Sequence, residues 1–116
     1  MHVTVEHYMN GNIFSIECRN DKDQLHNHSG PAIQHWCDNG QEIYRAYWIN
    51  GKLHNEEGPA AQRWHENGQE AYRAYFINDK ELTAEEFNKI KNTIEITVGD
   101  KTKRISRESA KALNLI

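Results

Sequence analysis

Residues 25–52 read LHNHSGPAIQHWCDNGQEIYRAYWINGK, and residues 53–80 read LHNEEGPAAQRWHENGQEAYRAYFINDK. Nineteen of the 28 aligned positions are identical, with no gap. Self-similarity at a fixed period of this length marks a repeat architecture, in which each unit buries its face against the next. In each unit a Gly-Pro pair (Gly30-Pro31, Gly58-Pro59) ends a polar loop and opens a short extended run, residues 32–37 or 60–65. Asn39-Gly40 or Asn67-Gly68 follows, a dipeptide that tolerates positive φ and predicts a hairpin. A second run, 42–49 or 70–77, ends at Asn50-Gly51 or Asn78-Asp79. One unit is therefore a β-hairpin plus a connecting loop, and stacked units predict an antiparallel meander.

The same grammar extends to the N-terminus. Residues 3–8 predict a strand, Asn10-Gly11 a turn and residues 12–18 a second strand, with Asn20-Asp21-Lys22 standing where Asn50-Gly51-Lys52 stands later. This gives a repeat array over 1–80 with units at about 1–24, 25–52 and 53–80. Three units meet the usual minimum for such an array. After Lys80 the pattern changes. Thr83 and Glu86 form a capping box flanked by Leu82 and Phe87, which predicts a helix of about ten residues burying Phe87 and Ile90. Residues 94–98 alternate as a half-buried strand, Gly99-Asp100 turns, 103–105 pairs back, and Ser106 caps a short helix to about Leu115. Residues 81–116 are thus expected to be a helix–hairpin–helix cap over one end or face of the array. The fold class is mainly β (α+β).

Composition narrows the function. Leu, Ile, Val and Phe make up only 22 of 116 residues, a level that accompanies disorder when net charge is large. Here 14 Lys/Arg against 17 Asp/Glu leave only −3. Three Trp and five Tyr supply the missing apolar area, so the core should be thin and aromatic. Trp36, Tyr44 and Trp48 recur as Trp64, Tyr72 and Phe76, an aromatic stack for each hairpin. No apolar run approaches a membrane span, and Met1-His2-Val3-Thr4 lacks the order of a signal peptide. Two cysteines are too few for a disulfide scaffold, which points to a reducing cytoplasm.

Strand alternation sorts each unit into two faces. Ala32, Gln34 and Trp36 recur unchanged as Ala60, Gln62 and Trp64, the natural inner set. Ile33, His35 and Cys37 drift to Ala61, Arg63 and His65, the outer set. In the second strand Arg45, Tyr47 and Ile49 match Arg73, Tyr75 and Ile77. Tyr and Arg are enriched at binding hot spots because they join rigid area to polar reach. Arg45, Tyr47, Arg73 and Tyr75, with His35 and Arg63, are the candidate partner-binding residues. The opposing reading is a sheet covered on both sides by the C-terminal segment or by a second copy of the chain.

The runs NGQEIYRAYWINGK and NGQEAYRAYFINDK, each beside LHNxxGPA, resemble the bacterial and phage form of the MORN repeat. The resemblance covers 25–80 well, 3–24 weakly, and 81–116 only through ELTAEEF. It implies a β-hairpin meander and a protein- or membrane-binding role without catalysis. The lipid-binding role of eukaryotic arrays needs basic surface, and residues 25–80 hold five Lys/Arg against seven Asp/Glu. That role is not carried over, and no membrane partner is expected.

Candidate chemistry is sparse. His26-x-His28 and His35-x-Cys37 could be written as a zinc set, but the second unit has Glu56 for His28 and Arg63 for His35. His26 and His54 are instead expected to hydrogen-bond the loop before Gly-Pro. Cys37 beside His35 lacks any oxyanion cradle on a strand and is read as a small outer-face residue. No catalytic residue, metal or cofactor is assigned. The expected function is non-enzymatic protein binding, in its concrete form a phage-encoded inhibitor of a host protein, an anti-CRISPR or other anti-defence factor acting in the host cytoplasm. The alternative uses the net +3 of residues 99–116, where Lys101, Lys103, Arg104, Arg107 and Lys111 could contact nucleic acid.

Overall fold

A computed structural model of the chain describes residues 1–99 and 101–114. In chain order its elements are β1 (His2–His7), β2 (Ile13–Arg19), β3 (Ile33–Trp36), β4 (Glu42–Ala46), β5 (Trp48–Ile49), β6 (Lys52–Leu53), β7 (Ala61–Trp64), β8 (Glu70–Ile77), β9 (Lys80–Leu82), α1 (Ala84–Lys91), β10 (Thr93–Val98), β11 (Lys101–Ser106) and α2 (Arg107–Ala112). The protein is mainly β. Seven strands form an antiparallel meander, in the order β1-β2-β3-β4-β7-β8-β9, while β5-β6 and β10-β11 are separate two-stranded pairs. The chain divides into two units after Leu82.

Two kinds of turn recur in the first unit. At Asn50-Gly51 (φ 48° and 80°) and Asn78-Asp79 (φ 49° and 68°) both central residues are left-handed. This two-residue turn matches the right-handed twist of its flanking strands. It joins β5 to β6, with Ile49 opposite Lys52, and β8 to β9, with Ile77 opposite Lys80. The Asn39-Gly40 turn differs from the sequence expectation, because only Gly40 (φ 90°) is left-handed. Cys37 N–H donates to Gln41 O at 2.9 Å, and Gly40 N–H to Cys37 O at 2.9 Å. Asn39 serves through its side chain, whose Oδ1 accepts Gln41 N–H at 2.9 Å. The same pattern recurs at His65–Gln69 and at Tyr8–Asn12. The chain at Asn20 departs from Asn50 in turn length: Asn20 N–H bonds Gln24 O and Asp23 is left-handed, so a longer turn separates Arg19 from Leu25.

Beside each such turn the second strand carries one extra residue. His35 faces Tyr44 but Trp36 faces Glu42, which leaves Ile43 unpaired. Arg63 faces Tyr72 but Trp64 faces Glu70, leaving Ala71, and on β2 the residue left out is Phe14. Such a bulge reverses the face of every residue beyond it relative to simple alternation.

The core is alanine rather than aromatic. Ala32, Ala46 and Ala60 are fully buried, Ala61 and Ala74 nearly so, joined by Cys18, Cys37, Ser15 and Leu82. Neighbouring backbones meet here, with Ala32 N–H to Ala46 O and Ala60 N–H to Ala74 O at 2.9 Å. Among the described residues no large side chain of this unit is completely buried. Trp36 and Trp64 are half-buried, and Tyr72 is 46% exposed. The expected stack of Trp36 on Tyr44 does not form: Trp36 shares the face of Gln34, which stands opposite Arg45, while Tyr44 stands opposite His35 on the other face.

In the second unit Thr83 Oγ1 accepts Glu86 N–H at 3.1 Å, and Glu86 Oε1 accepts Thr83 N–H at 2.9 Å, the capping box read from the sequence. The helix runs eight residues and buries Phe87, whereas Ile90 stays exposed, contrary to expectation. Strands β10 and β11 pair from Thr93 opposite Ser106 to Val98 opposite Lys101. Helix α2 ends at Ala112. Asp100 and the expected helix end near Leu115 lie outside the described residues.

Candidate functional site

Cross-strand register defines the faces of the meander, because directly opposed residues project to the same side. One row runs Val5, Ile16, Gln34, Arg45, Gln62, Arg73. The next runs Glu6, Ser15, His35, Tyr44, Arg63, Tyr72 on the opposite face. The six residues selected from the sequence are therefore divided. Arg45, Arg73 and Tyr75 share the first face, with Tyr47 acting on Arg45, while His35 and Arg63 lie on the second. Arg45 stands opposite Gln34 and not His35, so His35 does not extend the Arg45 surface.

On the first face each guanidinium already holds a carboxylate. Glu42 accepts from Arg45 Nε at 3.2 Å, from Arg45 Nη2, and from Gln34 Nε2 at 2.7 Å. Glu70 accepts from Arg73 Nε and Nη2 at 2.8 Å each, and from Gln62 Nε2 at 3.3 Å. Arg73 Nη1 also donates to the Tyr75 hydroxyl at 3.5 Å. These forked pairs hold both guanidinium groups above their ordinary proton affinity, through Glu42 and Glu70 respectively. Arg73 in turn holds the Glu70 carboxyl below the usual carboxylate range. Arg45 also lies 5.2 Å from the Trp64 ring centre. Alternation alone conceals Glu42 and Glu70, because residues three apart on an unbroken strand face opposite ways, and Gln34 and Gln62, expected in an inner set, stand instead on the face of Arg45 and Arg73.

The second face is organised differently. Tyr44 sits between His35, at a ring separation of 5.5 Å, and the guanidinium of Arg63, 5.2 Å from the Tyr44 ring centre. Tyr72 stands directly across from Arg63. His35 and Arg63 are exposed, and among the described residues Arg63 has no ion pair. An exposed guanidinium placed over one aromatic ring can present its N–H fork to solvent, a geometry suited to a carboxylate.

The histidines and cysteines have local partners. His26 Nδ1 accepts Asn50 N–H at 3.0 Å and His54 Nδ1 accepts Asn78 N–H at 3.1 Å, so they brace the left-handed turns rather than the loop before Gly-Pro. That loop is held by the next residue: Asn27 Nδ2 bonds Pro31 O at 3.0 Å, and Asn55 Nδ2 bonds Pro59 O at 2.9 Å. Cys37 is buried in its turn, with Sγ 2.8 Å from Asn39 Oδ1, and is not an outer-face residue. Successive loops enclose an open cleft of about 730 Å³ floored by Tyr47 and Ile49 and flanked by His28, His54 and Glu56. Among the described residues no three His, Cys, Asp or Glu side chains converge as a metal site.

In the second unit Lys101, Lys103 and Arg104 lie on β11 opposite Val98, Ile96 and Glu95. Their side chains fall outside the described residues. Arg107 donates from its backbone N–H to Asn92 O at 2.7 Å and from Nε to Lys91 O, and Lys111 is exposed. Among the described residues no helix is long and apolar enough to cross a membrane. The fold is thus an antiparallel meander with two chemically distinct faces. Compared with family models, curated proteins and solved structures, the chain matches none.

Proposed function

We propose that the protein is a non-enzymatic binding module of MORN-like repeat type, whose partner is another protein docked on the His35–Tyr44–Arg63–Tyr72 face. The observation that carries this reading is Arg63, an exposed guanidinium over the Tyr44 ring and opposite Tyr72 in the ladder, with no carboxylate partner among the described residues. Arg45 and Arg73, by contrast, are occupied by Glu42 and Glu70. The partner surface is accordingly acidic, or ends in a carboxylate that Arg63 can fork. The hydrogen-bond pattern shared by Tyr8–Asn12, Cys37–Gln41 and His65–Gln69 supports reading residues 1–24 as a diverged first unit of a three-unit array, which a helix–hairpin–helix segment follows in the chain. Inhibition of a host protein by a phage-encoded chain rests on the resemblance of the repeat alone.

The test is capture of partner from host lysate by wild-type protein and by Arg63→Ala/Tyr72→Ala, alongside Arg45→Ala/Arg73→Ala. The reading expects loss of the captured protein with the first pair of substitutions and retention with the second. Retention in the Arg63→Ala/Tyr72→Ala variant, at unchanged circular dichroism, overturns the assigned face.

A further inference from the structure

The two edges of the meander are unlike. The far edge, β9, is three residues long and carries Lys80 and Glu81, features that discourage further pairing. The near edge, β1, has six residues, all exposed, with no Pro and no Lys, and its ladder is regular until Glu6. Long unprotected edges are rare in natural sheets because their open N–H and C=O groups template another strand.

The backbone groups on that edge can be named. Cys18 and Asn20 direct theirs toward the β3 side: Cys18 N–H to Ala32 O at 2.7 Å, His26 N–H to Cys18 O at 3.0 Å, and Asn20 N–H to Gln24 O at 2.9 Å. Alternation sends those of Glu17 and Arg19 to β1, where they meet Thr4 and His2. Val3 and Val5 therefore point their N–H and C=O groups outward. Their side chains are 53% and 41% exposed on the face that also carries Ile16.

We infer that β1 pairs antiparallel with β1 of a second copy of this chain, about a two-fold axis at Thr4. The alternation of the edge permits only registers in which outward-pointing residues oppose each other. Centring on Thr4 pairs five residues of each β1, His2 to Glu6, as many as any permitted register. It sets Val3 against the partner's Val5, twice, so that both residues exchange N–H···O bonds across the axis. It sets His2 against the partner's Glu6 on the other face, a complementary pair in each half. Centring on Val5 would instead place Thr4 against Glu6 and Val3 against His7, losing both matches. The four valines close over the axis, and the two meanders become one continuous sheet. This goes beyond the face proposed above, which the pairing leaves open.

Thr4 and its symmetry mate form a non-hydrogen-bonded pair, where Cα atoms lie about 4.5 Å apart, within disulfide reach. The experiment is mild oxidation of full-length Thr4→Cys and Glu6→Cys variants, read on non-reducing gels, with sedimentation of the wild type from low-micromolar to near-millimolar concentration. The inference expects a wild-type dimer and a disulfide dimer from Thr4→Cys only, Glu6 being four positions out of register with its own mate. Val5→Pro, which removes an N–H that β2 does not use, should lose the dimer and keep the fold. If Val5→Pro fails to fold, the cysteine pair decides. A wild-type monomer throughout, or Glu6→Cys cross-linking as fast as Thr4→Cys, overturns the inference.

Discussion

Glu42 and Arg45, three residues apart in β4, meet on one face because Ile43 is left out of the ladder between them. Glu70 and Arg73 meet in the same way around Ala71. The two pairs differ in burial: the Glu42 side chain is 16% exposed and that of Glu70 is 34% exposed. Removing a carboxylate from a half-buried guanidinium leaves donors without an acceptor, and the better-shielded pair is less replaceable by water. Glu42→Ala should therefore cost about 1 kcal/mol, and more than Glu70→Ala, in urea unfolding of the two variants.

The Glu70 pair also fixes a pH dependence. Arg73 lowers the carboxyl affinity for protons in the folded state, so the stabilisation is present above the ordinary carboxylate range and is lost as pH falls through the lowered value. Melting temperatures of wild type and Glu70→Gln should differ near neutrality and converge in acid. A difference that persists unchanged into acid would contradict the pairing.

Much of this was legible in the sequence, and the misses share one cause. The repeat, both left-handed turns and the Thr83–Glu86 cap follow from local residue chemistry, which one sequence displays. Which side chains share a face depends on pairing between strands. The register sets Trp36 and Tyr44, and likewise His35 and Arg45, on opposite faces, and the bulge at Ile43 and Ala71 brings Glu42 and Glu70 onto the guanidinium face, where alternation alone does not place them. The aromatic-core expectation failed for a related reason. Alanines recur at 32, 46, 60 and 74, and alternation alone does not tell a buried alanine from an exposed one.

That alanine core predicts how the sheet responds to bulk. Ala46 is completely buried and its carbonyl oxygen accepts Ala32 N–H at 2.9 Å. Ala46→Leu adds three carbons at a position with no exposed surface. The expected destabilisation is about 1–3 kcal/mol, measured as a fall in the urea midpoint at constant slope. An unchanged midpoint would show that the site has free volume.

His26 and His54 make a prediction that separates their turn-bracing role from any metal role. Each accepts a backbone N–H at Nδ1, so in the neutral ring the proton resides on Nε2. Nitrogen-detected NMR near neutral pH should show both histidines in the Nε2–H form. His54→Ala should lower stability by about 1 kcal/mol by leaving Asn78 N–H without its acceptor. Added zinc should leave the melting temperature of the wild type unmoved.

Cys18 gives a readout at the alkaline end. The residue is 5% exposed, and burial, with the nearby Glu17 charge second, pushes its thiol above the ordinary range. An acid whose folded affinity for protons is raised contributes stability below its unfolded value and loses it as pH rises through the folded one. Wild-type stability should therefore fall more steeply with rising pH above the ordinary thiol range than that of Cys18→Ala. Thiol reagents probe the same burial directly: at neutral pH Cys18 should react only through unfolding, so its labelling rate should track the unfolded population as urea is added. Rapid labelling of Cys18 in the absence of denaturant would contradict the packing of β2 against β3.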